Sequence, residues 1–210
     1  MSSWLEVETP VGTARYEVAA ARRPRATLVL GHGAGGGTST PDLLALAREL
    51  PEHGVTIVLV EQPWRVAGRK VAVPPPQLDL AWRAVVPALD VPGPLLVGGR
   101  SAGARVACRT ARDLGAVGCV ALAFPLHPPG RHGVTRVGEL VEAGVPTLVV
   151  QGAKDPFGGP EEFPPEPATV ATVPFADHSF RVAAAAPLTQ REAVGMVVEH
   201  VRGWLRTLLR

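Results

Sequence analysis

Six continuous apolar runs separated by amphipathic stretches constrain this chain more than anything else in its sequence. They are residues 26–30, 55–60, 95–97, 119–124, 147–150 and 168–173. A strand that faces water on one side alternates apolar and polar residues, whereas a strand covered on both faces reads as an unbroken apolar run. Helical spacing fills the gaps between them. Pro41, Leu43, Leu44, Ala47 and Leu50 run to a stop at Gly54, and Leu78, Trp82, Val85 and Leu89 follow Pro74-Pro75-Pro76. From Ser101, Ala104, Ala107, Cys108, Ala111 and Leu114 form a third face, ended by Gly115. Thr189-Gln190-Arg191-Glu192 is a capping-box pattern opening a last helix with Val194, Val197, Val201, Trp204, Leu205 and Leu208. Arg105, Arg109 and Arg112 lie opposite the small-residue face of the third helix and read as a solvated stripe. Strands alternating with helices imply a mostly parallel twisted sheet with helices on both faces. Only the start differs: Leu5 and Val7, then Ala14, Tyr16 and Val18, alternate with polar residues around Pro10-Val11-Gly12, as two antiparallel strands would.

The chain has 210 residues, and no linker or repeat divides it, so a single domain over residues 1–210 is expected. With 21 Lys and Arg against 19 Asp and Glu, the net charge is +2, and no block of like charge suggests a nucleic-acid partner. No apolar run approaches the roughly 18–20 residues that span a bilayer, and the first residues lack the pattern of a secretory signal. A cytoplasmic location away from membranes is therefore expected. Cys108 and Cys119 are too few for a disulfide framework or a thiolate metal site and are expected as free buried thiols.

Ligands of a parallel sheet bind beyond the carboxyl ends of its strands, so the residues after each apolar run carry the chemistry. Gly99-Arg100-Ser101-Ala102-Gly103 stands between a strand and a helix. A G-x-S-x-G turn in that context presents its serine at the top of the sheet and at a helix N-terminus, where developing negative charge is favoured. A serine hydroxyl needs a base, held in turn by a third group. Of six histidines, His178 follows the last apolar run; His200 and His53 fall on helices, His32 in a glycine-rich turn, and His127 and His132 in a proline-rich loop. Asp155, after the preceding run, is the expected acid. Asp177 is too close in the chain to reach back to the ring of its neighbour. The order Ser101, Asp155, His178 is that of one hydrolase fold. Leu30-Gly31-His32-Gly33-Ala34-Gly35-Gly36-Gly37 is expected to supply one oxyanion N–H from Ala34, with the other from Ala102. His32, Arg100 and His127 are expected at the pocket rim.

The chain resembles a small, lidless α/β-hydrolase of the dienelactone-hydrolase-like kind. More narrowly, it is similar to the family that joins short bacterial hydrolases to a testis-expressed animal protein and a subunit of a chromatin acetyltransferase complex. The residues that carry the likeness are His32-Gly33-Ala34-Gly35, Gly98 to Val106, Pro125-Leu126-His127-Pro128-Pro129-Gly130, Gln151-Gly152-Ala153-Lys154-Asp155 and Asp177-His178-Ser179-Phe180, in that order. The resemblance implies an α/β-hydrolase fold without a cap domain and a Ser-Asp-His triad. It also implies hydrolysis of a small carboxylic ester or thioester without cofactor or metal. Dienelactone hydrolases proper use a cysteine where this chain has Ser101, which points away from that activity. Two rivals differ in class. One is a catalytically retired hydrolase acting as a binding module, against which the complete triad speaks. The other is a nicotinamide-dependent oxidoreductase, since residues 31–36 fit G-x-G-x-x-G and Glu61 ends the next apolar run. That fingerprint runs straight into its helix, whereas here Pro41 marks a later start.

Overall fold

The computed structural model describes residues 4–131 and 133–210; the first three residues and His132, placed above in the proline-rich loop, lie outside the described residues. Eight strands form one sheet, β1 (Leu5–Thr9), β2 (Gly12–Ala19), β3 (Ala26–Gly31), β4 (Val55–Glu61), β5 (Leu95–Arg100), β6 (Gly118–Leu122), β7 (Thr147–Gly152) and β8 (Ala168–Val173), in the order β1-β2-β4-β3-β5-β6-β7-β8. The β1/β2 and β2/β4 pairs are antiparallel and all others parallel. The expected strands and their directions are thus present, although β6 stops two residues short of Phe124, where Ala123 takes φ 46° and turns the chain.

Among the described residues, six α-helices flank the sheet: α1 (Pro41–Glu49), α2 (Pro63–Val66), α3 (Pro75–Ala88), α4 (Ala102–Thr110), α5 (Val137–Glu142) and α6 (Gln190–Leu208). The period of two within each buried strand sorts the core. Val29, Val58, Val60, Val97 and Val149 pack with Trp82 and Ala107 on one face, while Leu28, Leu30, Ile57, Leu59 and Val150 pack with Leu46 and Val201 on the other. Burial on both faces explains the unbroken apolar runs of β3 to β7; β8, at the sheet edge, leaves Thr169 and Thr172 exposed despite its apolar run. Cys108 and Cys119 are free and buried, their sulfurs 3.8 Å apart.

Of the arginine stripe on α4, Arg112 is exposed as expected, but Arg105 and Arg109 are not left to solvent. Arg109 donates two hydrogen bonds to Asp79 of α3, at 2.8 and 2.7 Å, and pairs with Glu139 of α5 at 3.0 Å. Arg105 grips the same Glu139 with two bonds, at 2.8 and 2.5 Å. Burial disfavours the charge on Arg109, but Asp79 and Glu139 outweigh that and raise its pKa. The stripe clamps three helices together, so α4 reaches the sheet edge as a fixed platform.

Strand order reverses between β3 and β5: the chain leaves β3 toward β4 on one side and returns to β5 on the other. Such a switch point opens a crevice beyond the carboxyl ends of the two strands. The turn 32–37 leaves β3 there, and Ser101 leaves β5.

Candidate active site

Ser101 links β5 to α4 with φ 54° and ψ −111°, a conformation that costs a non-glycine residue about 1–3 kcal/mol. The neighbouring glycines make that turn possible. A Cβ on Gly99 would lie 2.7 Å from the Gly31 carbonyl oxygen, and one on Gly103 would lie 2.6 Å from the Gly31 carbonyl carbon. The elbow is therefore pressed against the end of β3. Its first helical amide, that of Ala102, has no partner within the helix.

His178 Nε2 lies 2.9 Å from Ser101 Oγ, and its Nδ1 lies 2.7 Å from Asp155 Oδ2. The carboxylate cannot donate, so the ring proton sits on Nδ1 and Nε2 is left to accept from the serine hydroxyl. Asp155 is buried and further held by Gln151 Nε2, which donates to Oδ2 at 2.9 Å, and by the Phe157 amide, which donates to Oδ1 at 2.9 Å. The Phe157 ring meets the His178 ring edge to face, centroids 4.6 Å apart. Asp177 faces elsewhere: its Oδ1 accepts from the amides of Ser179 and Arg181 at 2.7 and 2.9 Å and shapes its own loop. Ala34 and Ala102, expected as amide donors, border one small cavity together with His32, Gly33 and Gly103.

The three residues expected at the pocket rim are all buried, His32 among those lining the small cavity. Arg100 lies beneath the site, where its Nη2 donates to the His178 carbonyl at 2.9 Å and to Ser179 Oγ at 3.1 Å. Its Nε faces buried Asp42 of α1 at 3.5 Å. It ties the elbow to the histidine loop from below, because a guanidinium needs several acceptors once out of water. His127 is held in its own loop by the Val134 carbonyl at 2.8 Å and Glu162 at 3.2 Å. His32 lines the small cavity from inside. Its Nδ1 donates to the Gly33 carbonyl at 2.9 Å, and its Nε2 accepts the Gln62 amide at 3.1 Å. Burial lowers its pKa below the ordinary histidine value, consistent with a neutral strut between the turn and the end of β4.

Three contributors escaped the sequence reading: Gln151, Phe157 and Trp64, which lines the small cavity with its ring beside that of His32. Gln151 had a signal, an amide ending an otherwise apolar run. Glu61, considered as a ribose-binding acid, instead pairs with Arg15 at 2.6 Å and faces Arg65 at 4.0 Å, and α1 begins only at Pro41. Among the described residues no cluster of His, Cys, Asp and Glu could hold a metal ion, and no helix is long and apolar enough to cross a membrane.

Solved structures share this architecture. A lidless serine hydrolase from Xanthomonas campestris superposes with a TM-score of 0.74 at 23% identity, over 97% of this chain and 94% of that one. Dienelactone hydrolase from Anabaena variabilis gives 0.72 at 16% identity, over 100% and 99%. The esterase domain of a Rhodothermus marinus protein gives 0.70 at 14% identity, over 99% and 98%. No curated protein matches the chain. At these identities the structural likeness establishes the α/β-hydrolase fold, lidless in the first of the three. The family model for the alpha/beta hydrolase domain, by contrast, matches the sequence itself across residues 24–206, and the chain belongs to that family.

Proposed function

We propose that this hydrolase-family protein cleaves a small carboxylic ester or thioester through an acyl-enzyme on Ser101. The observation that carries the reading is the unbroken hydrogen-bond chain from Ser101 through His178 to buried Asp155. Ser101 Oγ attacks the acyl carbon while its proton passes to His178 Nε2. The carbonyl electron pair moves onto oxygen, which the amides of Ala34 and Ala102 receive. When the pair returns, the bond to the leaving oxygen or sulfur breaks, and His178 gives that atom its proton. Water, deprotonated by His178, then attacks the acyl-enzyme; collapse releases the carboxylic acid, and the proton goes back to Ser101. Asp155 keeps the imidazole in its tautomer and stabilises the imidazolium. No electron is transferred to a carrier, so the scheme asks for no cofactor. A small-molecule substrate is in keeping with the short connection after β6, where only residues 123–136 stand before α5.

A fluorophosphonate probe tests the reading, with p-nitrophenyl acetate turnover alongside. Wild-type protein should be labelled on Ser101, and Ser101→Ala should stay folded, lose the label and lose about 10⁴–10⁶-fold in kcat. A folded wild type that takes no label would be a scaffold rather than an enzyme.

A further inference from the structure

The cavity bordered by Ala34 and Ala102 measures about 10 Å³, the room of one water molecule or one methyl group. Trp64, Leu78 and Val106 supply its apolar lining. Beyond it lies a much larger cleft of about 660 Å³, reached between the β1–β2 turn and α3. Gln62 and Trp64 line both spaces, so they form the partition between them. Trp64 is 4% exposed, and its ring packs on that of His32, centroids 5.5 Å apart. His32 bonds to the oxyanion turn at Gly33 and to the Gln62 amide. The partition is thus anchored to the same turn that would receive the substrate oxygen.

Resting on the acyl-transfer reading above, we infer that Trp64 sets the acyl length and that the substrates are acetyl esters or thioesters. With the carbonyl oxygen at Ala34 and Ala102, one substituent of the carbonyl carbon faces the small cavity. Most leaving groups exceed a methyl group, so the acyl side takes the cavity and the leaving group faces the open side. An acetyl methyl fills it. Each further methylene meets the indole, and forcing extra carbon into a packed space is destabilising. The cleft behind the indole would hold a longer chain once the ring is gone.

The test is a kcat/KM series over p-nitrophenyl acetate, propionate, butyrate and hexanoate. Wild type should lose at least about 10-fold from acetate to butyrate, the lower end of what one methylene is worth in a tight apolar pocket. Trp64→Ala should raise the hexanoate-to-acetate ratio by at least about 10-fold, with the gain seen in KM as well as kcat. Trp64→Phe keeps a ring against His32 and should give a smaller rise; it decides the matter if the alanine variant does not fold. Labelled wild type that hydrolyses hexanoate as readily as acetate overturns the inference alone, as does an unchanged ratio in the folded Trp64 variants. An unlabelled, inert wild type overturns the hydrolase reading and this inference with it.

Discussion

Asp177 precedes His178 in the chain, yet its Oδ1 receives two backbone amides of its own loop, while Asp155 reaches the ring from across the sheet edge. The two carboxyl groups therefore respond differently to the same substitution. In Asp155→Asn the side-chain amide offers a donor where His178 Nδ1–H needs an acceptor. The wrong tautomer is favoured, and kcat should fall about 10⁴-fold. Asp177→Asn retains an Oδ1 that can accept from Ser179 and Arg181, so kcat should fall less than about 10-fold, since a preserved neutral hydrogen bond shifts little free energy. Steady-state kinetics of the two variants decide the assignment: a severe loss in the second with a mild loss in the first would make Asp177 the orienting acid. Position relative to an apolar run was enough to nominate Ser101, Asp155 and His178. It placed Arg100 only at a pocket rim, because its task depends on Asp42 and the His178 carbonyl, brought to it only by folding.

Elements were legible where a local pattern stated them and hidden where partners came from afar. Strands buried on both faces announced themselves, and α6 carried its cap in Thr189 and Glu192, each bonding the other's backbone amide. The four-residue α2 is too short to show a helical period; Pro63 at its first position is its one local sign. It nevertheless carries Trp64. The stripe on α4 looked solvated because Asp79 and Glu139, which neutralise it, belong to other helices. This clamp predicts unequal costs for two carboxylates. Glu139→Ala strips partners from Arg105 and Arg109, whose side chains are 20% and 13% exposed, and should cost about 2 kcal/mol, the scale of hydrogen bonds to charged groups. Asp113→Ala breaks a pair with Arg83 in which the side chains are 60% and 39% exposed, and should cost less than about 1 kcal/mol. Urea denaturation midpoints measure both, and equal losses would mean that α5 docks by apolar packing alone.

At the scale of the whole molecule, His32 joins the carboxyl ends of the adjacent strands β3 and β4 beside the switch point, and it does so only while neutral. The Gly33 carbonyl accepts from Nδ1–H, and the Gln62 amide donates to the lone pair on Nε2. Burial holds its pKa below the ordinary value of 6.5. In the unfolded chain the same imidazole titrates near that ordinary value. As pH falls below about 6.5, the unfolded state takes up a proton that the folded state refuses. Folding stability should therefore drop with falling pH, from about 6.5 down to the lowered folded value, and level off below it. The slope from this one group is at most about 1.4 kcal/mol per pH unit. Other groups titrate in the same range, so the measurement is a difference: urea unfolding of wild type and His32→Asn at several pH values from 7.5 to 5. The variant should be less stable at neutral pH, because its amide cannot reproduce both ring contacts, and the gap should narrow as pH falls and the wild type loses its neutral strut. A gap that stays constant across the range would mean that His32 binds its proton equally in both states, and that the turn 32–37 is held without it.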